Sequence, residues 1–180
     1  LLLLLMLLLY TGYAPVFFFL ERYATGRGIE SAGLFFTISI TTEIAVRVVA
    51  GSLFDKINKI LLAVLSFLAI GIGYVVLSGL SGPGMLYGLA VFLGLGWGVV
   101  MPVLNALMFD VSSPRLKGFN ANLGMQMFQA GFFVGPLIGG AILTHGGFRG
   151  LYYFCAACSF LAMALSPAMG RKRKPSDLLQ

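Results

Sequence analysis

The sequence predicts an all-α membrane protein that crosses the bilayer six times, and three observations lead there. Of 180 residues, 59% are hydrophobic and 10% charged, against roughly 45–50% and about 25% in soluble domains. The charges are clustered. Between the clusters lie apolar runs near or above the ~20 residues that a helix needs to cross a hydrocarbon layer about 30 Å thick. A water-soluble fold would need a polar coat, and this chain has too few polar side chains to supply one.

The expected spans are residues 1–20, 31–53, 60–80, 85–108, 120–144 and 148–169. They read as helices because they lack strict alternation and are about twice as long as a barrel strand. A secretory signal peptide competes for residues 1–9, but no basic segment precedes them and the apolar run outlasts a signal core. The chain begins with Leu inside a hydrophobic stretch, a pattern expected of a fragment, a processed product or part of a larger protein.

A net charge of +6 and a pI near 9.6 do not point to nucleic acid, because the excess sits at span ends. Lys56 and Lys59 follow the second span, Arg115 and Lys117 the fourth, and Arg171, Lys172, Arg173 and Lys174 the sixth. The other side holds Arg22, Arg27 and Arg149, with Arg47 inside a span. The positive-inside rule therefore places both termini in the cytoplasm, in a multi-pass protein of the plasma or inner membrane. Residues 171–180 form a basic cytoplasmic tail after a bundle over residues 1–170; binding of that tail to anionic lipid would be generic.

With no connection long enough to fold as a soluble domain, chemistry has to lie among the helices. Glu43 and Arg47 stand one turn apart inside the second span, where an isolated charge costs at least about 3 kcal/mol. One reading makes Glu43 a carboxylate that loads and releases a proton; the other makes the two a mutually neutralising packing pair. Tyr10 and Tyr13 place hydroxyls mid-span, to line a cavity or to anchor at an interface. Asn105, Asn122, Gln126 and Gln129 can hydrogen-bond a solute or one another.

Twenty-four glycines suit membrane helices, which approach closely through small residues. Gly131, Gly135 and Gly139 recur every fourth residue, with Pro136 after the middle one and Gly140 after the last. They share one stripe, and Asn122, Gln126 and Gln129 lie opposite. Gly94, Gly96 and Gly98 beside Trp97 lack the strand and the lysine of a nucleotide loop and read as packing. Cys155 and Cys158 lack a second ligand pair, and the sole histidine, His145, cannot supply metal-ligand spacing. No cofactor, metal or enzyme nucleophile is expected.

The connection Gly51-Ser-Leu53-Phe-Asp55-Lys56-Ile-Asn58-Lys59 resembles the signature loop of the major facilitator superfamily, G-x-L-x-D-[RK]-x-G-[RK]. Gly51, Leu53, Asp55, Lys56 and Lys59 match. Asn58 stands where the pattern prefers Gly, as a turn with positive φ would allow. Gly131-x-x-x-Gly135-Pro136-x-x-Gly139-Gly140 resembles a pattern in the fifth helix of many proton-coupled antiporters of that superfamily. The resemblance spans the whole chain in span number, loop length and charge placement.

The resemblance implies two inverted three-helix repeats forming half of a two-half transporter, with solute held near the midplane. The fourth span lacks the arginine common in the first half, and Arg47 precedes Gly51. The chain therefore resembles the C-terminal half, partnered by an N-terminal six-helix half. It implies that Asp55 latches onto the start of the fifth helix near Gly118 to Asn120; capping of the third helix is the alternative role. The function it implies is alternating-access transport of a small organic solute, with proton-coupled efflux first. Glu43 would couple protons, and Tyr10, Tyr13, Asn122, Gln126 and Gln129 would contact solute. Sugar or metabolite uptake, a six-span channel and a self-pairing half-transporter are the alternatives.

Overall fold

The computed structural model describes residues 1–54 and 57–172, with the side chains of residues 50, 52–54 and 170–172 excepted. Asp55, Lys56, the Leu53 side chain and most of the basic tail thus lie outside the described residues. What is described is helical: α1 (Leu2–Thr25), α2 (Gly33–Phe54), α3 (Lys59–Leu77), α4 (Pro83–Val111), α5 (Lys117–Leu165) and a 3₁₀ segment, Ser166–Lys172.

Local chemistry sets the boundaries. α1 runs through Glu21 and Arg22 and stops where Gly28 takes φ +76°. The Ile29 N–H then reaches back to Ala24 O at 3.0 Å, a bond closed by a left-handed residue, for which glycine has no Cβ penalty. Asn58 caps α3 by accepting from the N–H groups of Ile60 and Leu61 at 2.9 and 3.3 Å. Its φ is −59°, which corrects the expectation of a positive-φ turn: the Asn side chain is used as a cap, a role that glycine lacks. Pro83 opens α4, where its missing N–H costs nothing.

α5 is two helices run together across Gly147, whose φ of 61° and ψ of −168° are non-helical. Among the described residues, four helical stretches are long and apolar enough to cross a membrane: α1, α3, α4 and residues Lys117–Met169. Lys117–Met169 covers the fifth and sixth expected spans, and the second expected span falls on α2, whose side chains at residues 50 and 52–54 lie outside the described residues.

The core runs between the helices. Trp97, Tyr74, Tyr152, Phe35 and Phe67 are almost wholly buried, whereas Val48, Val49, Leu61, Leu65, Phe133 and Leu137 face outward. A soluble protein rarely exposes so much apolar surface; lipid is the solvent that makes it stable. The chain is an integral membrane protein.

Two helix pairs run parallel, each seated on glycines. Gly124 lies over Met6, Gly131 over Tyr10 and Thr11, Gly135 over Thr11 and Pro15, and Gly139 over Pro15 and Phe19. The first stretch of α5 thus advances along α1. Likewise Gly94 meets Ser39 and Thr42, and Gly98 meets Glu43 and Val46, so α4 advances along α2. Gly96 turns the other way, onto Ile70 of α3. The Gly94-x-Gly96-x-Gly98 run is accordingly a two-sided packing surface, as its lack of nucleotide-loop context implies.

Candidate functional site

The site is built where α4 presses on α2. A Cβ on Gly94 would stand 2.7 Å from Ser39 O, and one on Gly98 would stand 3.0 Å from Glu43 Cα. These are backbone contacts that a Cβ would make tighter than ordinary packing, and they hold the α2 backbone that carries Glu43 directly against α4. Glu43 is 8% exposed. Its Oε2 accepts from Arg47 Nη2 at 3.1 Å, and the same nitrogen lies 3.7 Å from Met101 Sδ on α4. Glu43 Oε1 is buried without a partner.

The two ends of the pair differ in environment. The Glu43 side chain is 10% exposed and that of Arg47 is 41%, so the cation reaches outward while the carboxylate stays inside. Among the described residues the acid thus has one oxygen held by Arg47 and one without a hydrogen bond. The ion pair named by the sequence is therefore present, and it leaves one acceptor unused.

Tyr10 and Tyr13 are half-buried in a chain of aromatic rings. Tyr13 meets Trp97 edge-on at 4.6 Å and Phe132 at 5.8 Å; Tyr10 meets Phe128 edge-on at 4.9 Å. Phe128 and Phe132 are 4.5 Å apart, and Phe17 bridges Phe132 and Phe36 at 6.0 and 5.4 Å. The rings link α1, α2, α4 and α5 at separations where aromatic pairs attract. Asn105, Asn122, Gln126 and Gln129 are exposed, while Gly131, Gly135 and Gly139 are buried against α1. Pro136 and Gly140 stand at the edge of that seam, with Gly140 only in ordinary contact with Phe19.

At the α3 start, Lys59 Nζ binds Asp110 Oδ2 at the end of α4 at 2.8 Å. Asn120 Nδ2 donates to Ser112 Oγ at 2.7 Å across the α4–α5 connection. Sequence reasoning missed Asp110, although the signal was there: it is the one acid at the end of the fourth expected span, beside Arg115 and Lys117. Among the described residues nothing stands within 4 Å of a Cβ on Gly51. The close helix approaches onto α2 are made by Gly94 and Gly98. Asp55 and Lys56 of the expected gating loop lie outside the described residues.

Cys155 and Cys158 are free and buried, packed beside Gly12, whose Cβ would meet Cys155 O at 3.2 Å. His145 is exposed, with Nδ1 2.8 Å from Thr144 Oγ1. No cluster of three metal-ligating side chains occurs among the described residues.

Glycine-seated apolar helices around a buried carboxylate define an integral membrane bundle with one charged locus inside it. The chain belongs to the Major Facilitator Superfamily, whose family profile matches residues 2–179. It is 25% identical over 171 residues to the quinolone resistance protein NorA of Staphylococcus aureus strain MRSA252, covering 94% of this chain and 44% of the relative. NorA of strain Mu50 aligns at 25% over 161 residues, covering 88% and 41%. The MFS efflux transporter aclA of Aspergillus oryzae is 27% identical over 111 residues, covering 60% of this chain and 20% of the relative. The chain thus spans less than half the length of these relatives. The superfamily is one of transporters, not enzymes.

Proposed function

We propose that this chain is the C-terminal six-helix half of a twelve-helix transporter that expels a small organic molecule in exchange for protons. The observation that carries the proton step is Glu43, a buried carboxylate with Oε2 on Arg47 and Oε1 unpartnered. When solute or solvent reaches it, the free oxygen takes the proton and the bond to Arg47 weakens. Arg47, 41% exposed, is then released toward the cavity side. Efflux is favoured over sugar or metabolite uptake because relatives named as an efflux transporter and a quinolone resistance protein align with the chain.

Six spans are supported by geometry. α2 has 22 residues, about 33 Å of helix, enough for a ~30 Å hydrocarbon layer. The break at Gly147 divides α5 into an outgoing and a returning helix. An inverted three-helix repeat is supported by the two parallel seams, because a repeat relating the first three helices to the last three would make the α1–α5 pair the counterpart of the α4–α2 pair. With an even number of crossings and eight basic residues on one side, both termini face the cytoplasm of the cell membrane.

In this reading Tyr10, Tyr13, Asn122, Gln126 and Gln129 contact solute where the missing N-terminal half closes the cavity. The Gly51 to Lys59 loop, including Leu53, Asp55 and Lys56, gates the cytoplasmic side, supported by the Lys59–Asp110 bridge beside it. The test is Glu43→Gln in the intact transporter, reconstituted in vesicles with an imposed pH gradient. The expected outcome is loss of pH-driven flux while solute binding at equilibrium is retained. Undiminished pH-dependent flux would remove Glu43 from proton coupling.

A further inference from the structure

We infer that the end of the bundle where α1 and the first stretch of α5 finish is a binding site for an anionic phospholipid. Two neighbouring clefts, sharing Gly146, make it up. One, of about 340 Å³, is lined by Tyr23, Arg27, Gly147, Phe148 and Arg149. The other, of about 590 Å³, is lined by Leu137, Ile138, Ala141, Ile142 and His145. The first contributes two guanidiniums and no carboxylate, and among the described residues neither Arg27 nor Arg149 has an acidic partner.

Arg27 is already fixed in place. Its Nη1 donates to Leu80 O at 2.9 Å, and its guanidinium lies 5.3 Å from the centre of the Tyr23 ring. Tyr23 in turn packs on Phe148 and Tyr152 at 4.8 and 5.1 Å, and its hydroxyl donates to Ser78 O at 2.8 Å. A guanidinium held this way binds a phosphate at low ordering cost, and its planar fork suits phosphate oxygens. Aromatic rings at this level also match the headgroup boundary of a bilayer.

The second cleft supplies the other half of the ligand. From Gly146 back to Leu137 is nine residues of helix, about 14 Å of rise, close to half of the ~30 Å hydrocarbon thickness. Ile138 is 39% exposed, so this face of α5 is open to an acyl chain along the depth of one leaflet. Positive charge at the headgroup level, continuous with an apolar groove one leaflet deep, matches a lipid with an anionic phosphate head. A free phosphate would use the first cleft alone.

The test is native mass spectrometry of the intact protein in detergent, titrated with phosphatidylglycerol and with phosphatidylcholine of the same acyl chains. A third titration with glycerol phosphate supplies the headgroup without chains. Phosphatidylglycerol is expected to bind more tightly, by about fivefold for each arginine engaged, and Arg149→Gln to remove one such factor. Arg149 is the residue to change because Arg27 also holds Leu80 O. Ala141→Phe, which fills the apolar groove, is expected to weaken the lipid and leave glycerol phosphate unchanged. Equal affinity for the two lipids, or phosphatidylglycerol binding unaffected by both variants, would overturn the site. Glycerol phosphate binding as tightly as the lipid would overturn the acyl groove and hence the lipid as occupant.

Discussion

The two parallel seams of the bundle are built alike and used differently. Along α1 and α5, Gly131 and Gly135 bring backbone onto backbone: a Cβ would stand 2.5 Å from Tyr10 Cβ and 2.6 Å from Thr11 O. Among the described residues no charged side chain lies between these glycines and α1. Along α2 and α4, Gly94 and Gly98 make a similar fit, yet the residue under Gly98 is Glu43. Close packing without charge gives a fixed joint, whereas close packing over a buried acid ties the position of a helix to the charge on one side chain. In the proposed mechanism, because membrane helix contacts are held by packing and hydrogen bonds rather than by exclusion of water, a proton on Glu43 shifts the balance at the second seam and not at the first.

The largest effect is expected from Gly135→Leu. The side chain would collide with Thr11 O and Pro15, and overpacking of such a contact costs about 3 kcal/mol or more. The melting temperature in detergent should drop sharply or the folded species disappear, while Gly140→Ala, with Phe19 at 4.0 Å, should melt as the parent. Equal tolerance of both changes would mean that the α1–α5 seam is not a fixed joint.

Gly98→Ala sharpens the comparison further. Its Cβ would press on the Glu43 backbone at 3.0 and 3.3 Å, a tight contact that a small shift of α2 relieves at a cost of about 1 kcal/mol. If Glu43 carries the proton as proposed, transport should fall more than the melting temperature implies, because the shift displaces Glu43. A variant that lost stability and kept full pH-driven flux would make the second seam a joint like the first.

The smallest effect is expected at the Lys59–Asp110 bridge. Its side chains are 25% and 33% exposed, so Lys59→Ala should cost roughly 0.2–1 kcal/mol, less at high salt. A cost well above that, independent of salt, would place this bridge in the same category as Glu43 and Arg47.

Much of this was legible in the sequence because lipid imposes a simple rule: backbone groups must be satisfied within helices, and side chains facing lipid must be apolar. Long apolar runs therefore declared a membrane bundle. The four-residue spacing of Gly131, Gly135 and Gly139 declared a packing stripe, and the i, i+4 spacing of Glu43 and Arg47 allowed their pairing. Less legible was the partner of each stripe. Nothing local says that Gly98 lies on Glu43, that Lys59 meets Asp110 across 51 residues, or that Tyr13 meets Trp97 edge-on.

The sequence by itself determined the solvent of this protein, its helical content, the one carboxylate and arginine that enter the bundle, and membership of its family. These follow from composition and short-range periodicity, which a helix expresses within a few turns. Only the tertiary structure decided that one oxygen of Glu43 is left unpaired, that α5 passes through Gly147 with a single non-helical residue, and that Arg27 and Arg149 share a cleft. Such facts depend on which helices come together and how closely, and that is fixed by the fit of many side chains at once rather than by any one stretch of chain.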